Sequence, residues 1–337
     1  MDPALIIEWI VKSVILVLVM TAGFAYVTLF ERKVLARMQV RIGPNRAGPF
    51  GFLQPVADGI KLIFKEELIP ANANKLIFIL APVITVVPAL VITAVVPWGG
   101  TVILFGRPIT LDLAASINVG VLWILSVTSI SVYGITLAGW SSNNKYAMLG
   151  GLRSTAQMIS YELALGMAYV GPILLAGSMS LNDIVNAQTK VPFIVYQPLA
   201  FVVFIASALA EINRAPFDMP EAEQELTAGY HTEYSGMKFA LFFMAEYIKA
   251  IGVSMIGATL FLGGCQWPFS ASALGGLMGP IQLFAKTLLS LFVIVWFRAT
   301  LPRIRYDRLM ALGWKIAFPV ALLNVILTAV VVVLVGG

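Results

Sequence analysis

Between residues 211 and 236 the chain reads EINRAPFDMPEAEQELTAGYHTEYSG, which holds six of its 17 acids: Glu211, Asp218, Glu221, Glu223, Glu225 and Glu233. Further charges stand inside long apolar runs: Glu162 in ISYELALGMAYVG, Glu246 and Lys249 in FFMAEYIKAIG, and Lys286 in QLFAKTLLSLF. A charged side chain at the centre of a membrane helix costs about 2.5 to 3.5 kcal/mol, so several in one chain demand compensation. Carboxyls held close together and away from water resist ionisation and exchange protons near neutral pH. A file of acids from the 212–236 loop through Glu211 to Glu162 and Glu246 would form a proton path or an electrostatic transmitter. The structural alternative pairs Glu246 with Lys249, three residues on, and lets Lys286 neutralise another acid.

Within the acidic loop, Pro216 and Pro220 interrupt helix formation. Asp218, Glu221 and Glu225 fall at spacings of three and four, so a helical turn after Pro220 would align them on one face. A solvated acidic loop is the plainer reading. His231, the only histidine, is either a proton relay or a solvated bystander. With Cys265 the only cysteine, intrachain disulfides are excluded, and iron-sulfur, bis-histidine haem or zinc ligation by this chain alone has no support. There is no P-loop and no G-x-G-x-x-G for a nucleotide.

The elements that must position these groups follow from composition. The chain is 59% hydrophobic and 12% charged, where soluble domains carry about 25% charged residues. Apolar runs near 5–30, 76–97, 115–138, 156–176, 193–211, 237–261, 279–300 and 313–335 reach the roughly 20 residues that cross a bilayer as a helix. They are too long and continuous for membrane β-strands. The fold class is an all-α polytopic membrane protein, a bundle of about eight transmembrane helices forming a single domain over 1–337. The segment 31–75 carries Arg32, Lys33, Arg37, Arg41, Arg46, Lys61, Lys65 and Lys75, and the link after the seventh run carries Arg298, Arg303, Arg305, Arg308 and Lys315. The positive-inside rule makes these loops cytoplasmic and puts both termini outside. The net charge of +5 is mostly this bias and gives no reason to expect nucleic acid. The opening Met1-Asp2-Pro3, with Glu8 and no basic n-region, does not read as a cleavable signal peptide.

Two cytoplasmic loops are large, 31–75 and the acidic 212–236. In the first, Gly43-Pro44 and Gly48-Pro49 break helical continuity and residues 54–68 resume it, with Val56, Ile60, Ile63 and Phe64 on one arc opposite Asp58, Lys61 and Lys65. This is an in-plane amphipathic helix, whose apolar face either rests on headgroups or lines a lipid-accessible chamber. Leu62 on the polar side and Glu67 inside the apolar arc break the pattern.

Four stretches taken in order, ERKVLARMQVRIGPNRAGPFGFLQPVADGIKLIFKEE, WSSNNKYAMLGGLRSTAQMISYELALG, AEINRAPFDMPEAEQELTAGYHTEYSGMKFALFFMAEY and FRATLPRIRYDRLM, resemble the H subunit (subunit 1 type) of proton-translocating NADH:quinone oxidoreductase, respiratory complex I. Membrane subunits of energy-converting hydrogenases share parts of the pattern and are the alternative. The resemblance implies a subunit that forms much of a quinone chamber, anchors the peripheral arm and couples quinone reduction to proton pumping, without activity alone. Quinone is then substrate, while FMN and the iron-sulfur clusters sit on partner subunits of the peripheral arm. Small membrane subunits and lipid are the other neighbours. Matching by motif assigns Arg32, Arg41, Arg46, Phe217 and Asp218 to the chamber or docking surface, and Glu66, Glu162, Glu211, Glu221, Glu223, Glu225 and Glu246 to proton coupling. The implied location is a bacterial inner membrane with periplasmic termini, an organellar inner membrane being the alternative. A stand-alone proton or cation transporter would leave the large loops unexplained, and a passive anchor would leave Glu162 and Glu246 unexplained.

Overall fold

The computed structural model describes residues 3–99, 101–104, 107–219, 228–271 and 276–336. Helix α1 (Pro3–Met38) runs for 36 residues, about 54 Å at 1.5 Å per residue, against a hydrocarbon core of about 30 Å. Its last turns, with Glu31, Arg32, Lys33 and Arg37, therefore project past the apolar layer as helix, where the sequence suggested the start of a loop. The in-plane helix α2 (Gln54–Ile63) ends five residues before the expected 68. That shortening removes one anomaly, because Glu67 lies beyond the helix and pairs with Lys238 Nζ at 2.6 Å. The Leu62 exception also resolves. Gln54, Asp58 and Leu62 form the half-buried edge of α2, where Arg32 of α1 holds Asp58 at 2.7 Å. The apolar arc of Val56, Ile60, Ile63 and Phe64 is exposed and turned away from this chain.

The bundle continues with α3 (Lys75–Ile92), a short antiparallel hairpin β1 (Thr101–Leu104) and β2 (Arg107–Thr110), α4 (Gly120–Ser141) and α5 (Lys145–Ala176). Then come α6 (Leu181–Ala187), α7 (Phe193–Tyr196), α8 (Pro198–Glu211), α9 (Gly236–Phe261), α10 (Met278–Thr300), α11 (Tyr306–Leu312) and α12 (Phe318–Gly336). A π-helical turn, Gly313–Ala317, fuses the last two. Among the described residues seven helices are long and apolar enough to cross a membrane, and the chain is an all-α multi-pass membrane protein. The fifth expected run, 193–211, is broken. Pro198 disfavours helical geometry at the residue before it, and Gln197 breaks the run at φ −128°, ψ 49°, leaving α8 with only 14 residues.

Helices in lipid gain little from burying apolar surface against one another, so close packing and interhelical hydrogen bonds must hold them. At Gly134 a Cβ would lie 2.9 Å from the Ala81 carbonyl oxygen, so α3 and α4 approach there only because the side chain is absent. Gly150 of α5 lets the backbone of Gly229 come equally near. Pro82, inside α3, cannot donate to the Phe78 carbonyl four residues back. Tyr234 Oη donates to that carbonyl at 3.3 Å, and its ring stacks on Phe78 at 4.0 Å. One proline thus creates the acceptor that anchors the 228–235 segment. The first large loop reaches the same place, since Ser235 Oγ donates to the Glu66 carbonyl at 3.0 Å. Both large loops therefore meet at one end of the bundle.

Candidate functional site

Helices α1, α9 and α10 enclose a cleft of about 580 Å³. Its walls are apolar, including Met20, Phe30, Ile251, Met255, Leu283 and Leu291, with Trp98 at one end and Lys33 and Phe52 at the loop end. Lys33 donates to the Phe50 carbonyl and its Nζ lies 5.4 Å from the centre of the Phe52 ring, so cation and aromatic are held together at the mouth.

Val27 and Leu291 belong both to this cleft and to a cavity of about 20 Å³ lined by Glu31, Arg214, Tyr247 and Arg298. Glu31 of α1 is buried and accepts from Arg298 of α10. The same carboxylate lies 3.4 Å from Arg214 Nη1, and Arg214 Nε lies 2.5 Å from Glu246 Oε1 of α9. The guanidinium also covers the Tyr247 ring at 4.4 Å. Burial works against the Arg214 charge, but Glu246 and then Glu31 outweigh it and hold the group above its ordinary pKa.

Local geometry explains how a loop arginine enters the bundle. Helix α8 ends by unwinding, with Arg214 N bonded to the Leu209 carbonyl at 3.3 Å. Asn213 takes a left-handed conformation at φ 57°, one that asparagine tolerates better than most residues. Gln157 of α5 donates to the Ala210 and Phe217 carbonyls at 2.8 and 2.7 Å, tying the end of α8 to the segment that follows it. Phe217 is buried against Tyr161, ring centres 5.5 Å apart, and Ile304 N donates to the Pro216 carbonyl at 3.1 Å. Residues 212–219 are thus a packed strap, contrary to the solvated-loop expectation.

Beyond Arg214 a second cavity, about 20 Å³, is lined by Thr85, Asn213, Tyr230, Glu246, Glu211 and Lys249. Glu211 and Lys249 also line a third, about 10 Å³, with Thr128 and Tyr169. Glu211 is 2% exposed, and neither of its carboxylate oxygens has a hydrogen-bond partner among the described residues. Lys249 Nζ lies 3.9 Å from Oε1. Glu162 accepts from Ser129 Oγ, and its charge acts on both Glu211 and Lys249.

The structure therefore gathers Glu246, Glu211 and Glu162, with Arg214, Glu31 and Lys249 between and beside them. Ion pairs join different segments, Glu246 of α9 with Arg214 of the strap and Glu211 of α8 with Lys249 of α9, while Glu246 also acts on Lys249 by its charge. Among the described residues Lys286 is paired with no acid. It donates to the Leu262, Gly264 and Trp267 carbonyls at 2.6, 2.6 and 2.5 Å, tying down the chain that leaves α9. Glu66 is exposed and outside the gathered set; its backbone, rather than its carboxyl, joins the two loops. Arg32 pairs with Asp58, while Arg41 and Arg46 are exposed and line none of the cavities described above. Asp218 is half-buried beside Phe217. Glu221, Glu223 and Glu225, and with them the expected helical turn after Pro220, lie outside the described residues. His231 is no solvated bystander, being buried among Tyr230, Phe239 and Phe243 at 5.0, 5.3 and 6.5 Å.

Sequence reasoning missed Glu31, Arg298, Tyr247 and Gln157. The available signal was Glu31 itself, an acid heading the basic run ERKVLAR. With α1 continued to Met38, it falls one helical turn from Val27 and two from Phe24, on the packed face. Among the described residues no cluster of three His, Cys, Asp or Glu could hold a metal.

Comparison with known proteins gives a concordant result. The family model NADH dehydrogenase matches residues 11–329. The NADH-quinone oxidoreductase H subunit of Thermomicrobium roseum is 53% identical over 97% of this chain and 96% of its own. An H subunit of the same enzyme from Syntrophobacter fumaroxidans is 50% identical over 97% and 96%. Its counterpart in Rhodospirillum rubrum is 51% identical over 97% and 94%.

Proposed function

The chain belongs to the NADH dehydrogenase family, as an H-type membrane subunit of a multisubunit NADH-quinone oxidoreductase, and from that premise we propose a three-part role. It walls the quinone chamber, anchors the peripheral arm, and couples quinone reduction to proton translocation. The observation that carries this reading is the continuity of the site: an apolar cleft, then Glu31 with Arg298 and Arg214, then Glu246, then Glu211 with Lys249.

The cleft suits a long hydrocarbon tail, which gains from leaving water and needs no polar contacts along its length. Lys33 and Phe52 guard the end nearest the large loops, where the tail would enter from lipid. Reduction of a quinone to a quinol takes two electrons and two protons, and the headgroup meets them outside the apolar cleft. Negative charge arising there pulls on Arg214, whose hold on Glu31 and Glu246 is then redistributed. A buried ion network responds to such a charge by moving or by exchanging a proton, provided its alternative arrangements differ in interaction with that charge. Glu246 faces the next cavity and passes the change on to Glu211, and Glu162 continues it inward.

Phe217 and Asp218, on the strap that presents Arg214, and the exposed Arg32, Arg41 and Arg46 are assigned to the chamber or docking surface. Glu66, Glu221, Glu223 and Glu225 are assigned, with Glu162, Glu211 and Glu246, to proton coupling. FMN and iron-sulfur clusters belong to the peripheral-arm subunits in this reading, small membrane subunits flank the bundle, and the membrane is a bacterial inner membrane with both termini periplasmic. Photolabelling the intact complex with a long-tailed quinone analogue tests the assignment. Labelled peptides from 19–33, 50–53 or 283–291 are expected, and label confined to partner subunits would remove the chamber from this chain.

A further inference from the structure

Among the described residues Lys249 is the one cation that lines both inner cavities, and nothing in the acid file alone requires it. It is 6% exposed in the middle of a membrane helix, where an ammonium is costly unless paired. Its one ion pair among the described residues is with Glu211 at 3.9 Å, longer than a direct hydrogen bond and short enough for strong attraction at low dielectric. Lys286 marks the contrast, since its ammonium is fully occupied by three carbonyls. Around Glu211 the bonding is incomplete: both carboxylate oxygens, and Ser207 Oγ one helical turn earlier, lack hydrogen-bond partners among the described residues. The cavities flanking the pair, about 20 and about 10 Å³, are each near the size of a single water.

We propose that Lys249 is a charge gate on the path through Glu211. The inference rests on the proton-coupling reading above and assigns that path its control element. At rest the ammonium keeps Glu211 ionised and in place between the two cavities, and its positive charge repels hydronium, so water alone does not carry protons across. A proton arriving from the Glu246 side forms an O–H bond on the Glu211 carboxylate and cancels the attraction. The ammonium, which keeps its own protons throughout, swings toward the carboxylates of Glu246 and Glu162, whose charge also acts on it. The carboxylic acid then gives its proton, by way of the cavity lined by Thr128 and Tyr169, to the Glu162 carboxylate, and the ion pair reforms. One proton enters and one leaves per cycle. Lys249 acts as a positioning residue and is itself chemically unchanged.

The test compares Lys249→Met, Lys249→Arg and Glu211→Gln in the assembled complex in inverted membrane vesicles, reading protons moved per electron from NADH oxidation and dye quenching. Lys249→Met is expected to lower the ratio about twofold or more, because without the fixed positive charge hydronium is no longer repelled and water carries protons back across, and Lys249→Arg to restore most of it. A wild-type ratio in Lys249→Met, with Glu211→Gln impaired, would overturn the gate and leave the proton path standing. A wild-type ratio in both would overturn the path as well. Should Lys249→Met not assemble, Lys249→Gln, which keeps a donor toward Glu211 without the charge, is judged by the same criteria.

Discussion

The two ends of the bundle treat buried polar groups in opposite ways. Away from the large loops two buried amides and the half-buried Lys286 ammonium are saturated. Gln188 donates to the Ile184 and Thr259 carbonyls at 3.1 and 2.9 Å and accepts from Phe193 N and Gly263 N at 3.1 and 2.9 Å. Gln197, at the break before α8, accepts from Asn324 Nδ2 and donates to Thr328 Oγ1, both at 2.7 Å. Lys286 has its three carbonyls. Toward the loops Glu31 serves two arginines, Glu211 has no hydrogen bond among the described residues, and small cavities separate the charges. A satisfied buried network fixes one structure, whereas one with spare acceptors and room for water has several arrangements of similar energy. The first kind seals a membrane protein, and the second lets charge move through it.

Substitutions can break or sharpen this contrast. The largest effect is expected for Arg214→Met, which removes the guanidinium shared by Glu246 and Glu31. Stranding buried charge costs about 3 to 5 kcal/mol, so native gels of solubilised membranes should show little assembled complex, and normal assembly would undo the account of the network. Lys286→Met comes next, freeing three part-buried carbonyls at a cost of about 1 kcal/mol each. It should lower the thermal midpoint of the purified complex while leaving protons per electron unchanged, and a changed ratio would erase the distinction between the two ends. Gln197→Leu deprives Asn324 and Thr328 of their partner, for about 2 kcal/mol, again with a loss of midpoint and no loss of coupling. Smallest is Phe52→Ala at the cleft mouth. The KM for a long-tailed quinone should rise about threefold, under 1 kcal/mol of binding, and that for a short-tailed quinone should stay put.

What the sequence disclosed follows the range of the forces involved. The long spans are legible because about 20 apolar residues in a row have few other solutions, and the break at Gln197 could have been read from Pro198. The acids Glu162, Glu211 and Glu246 announce themselves because charge inside an apolar run needs a reason. Their partners do not. Arg298 looks like the topogenic charges beside it, and Glu31, set apart from its basic neighbours only by its sign, meets it across 267 residues of chain. The three-residue spacing of Glu246 and Lys249 suggested a local pair, yet each side chain found a better partner on a neighbouring segment. Likewise the arc of α2 was legible while its orientation was not, since Asp58 faces Arg32 only because of where α1 ends.

The central claim is that charge rearrangement at the loop end drives protons inward, and the most direct measurement of it is the proton-to-electron ratio of Glu246→Gln and Glu162→Gln complexes. Both are predicted to assemble and to translocate fewer protons per electron than the unaltered enzyme. Unaltered ratios in both variants would contradict the account.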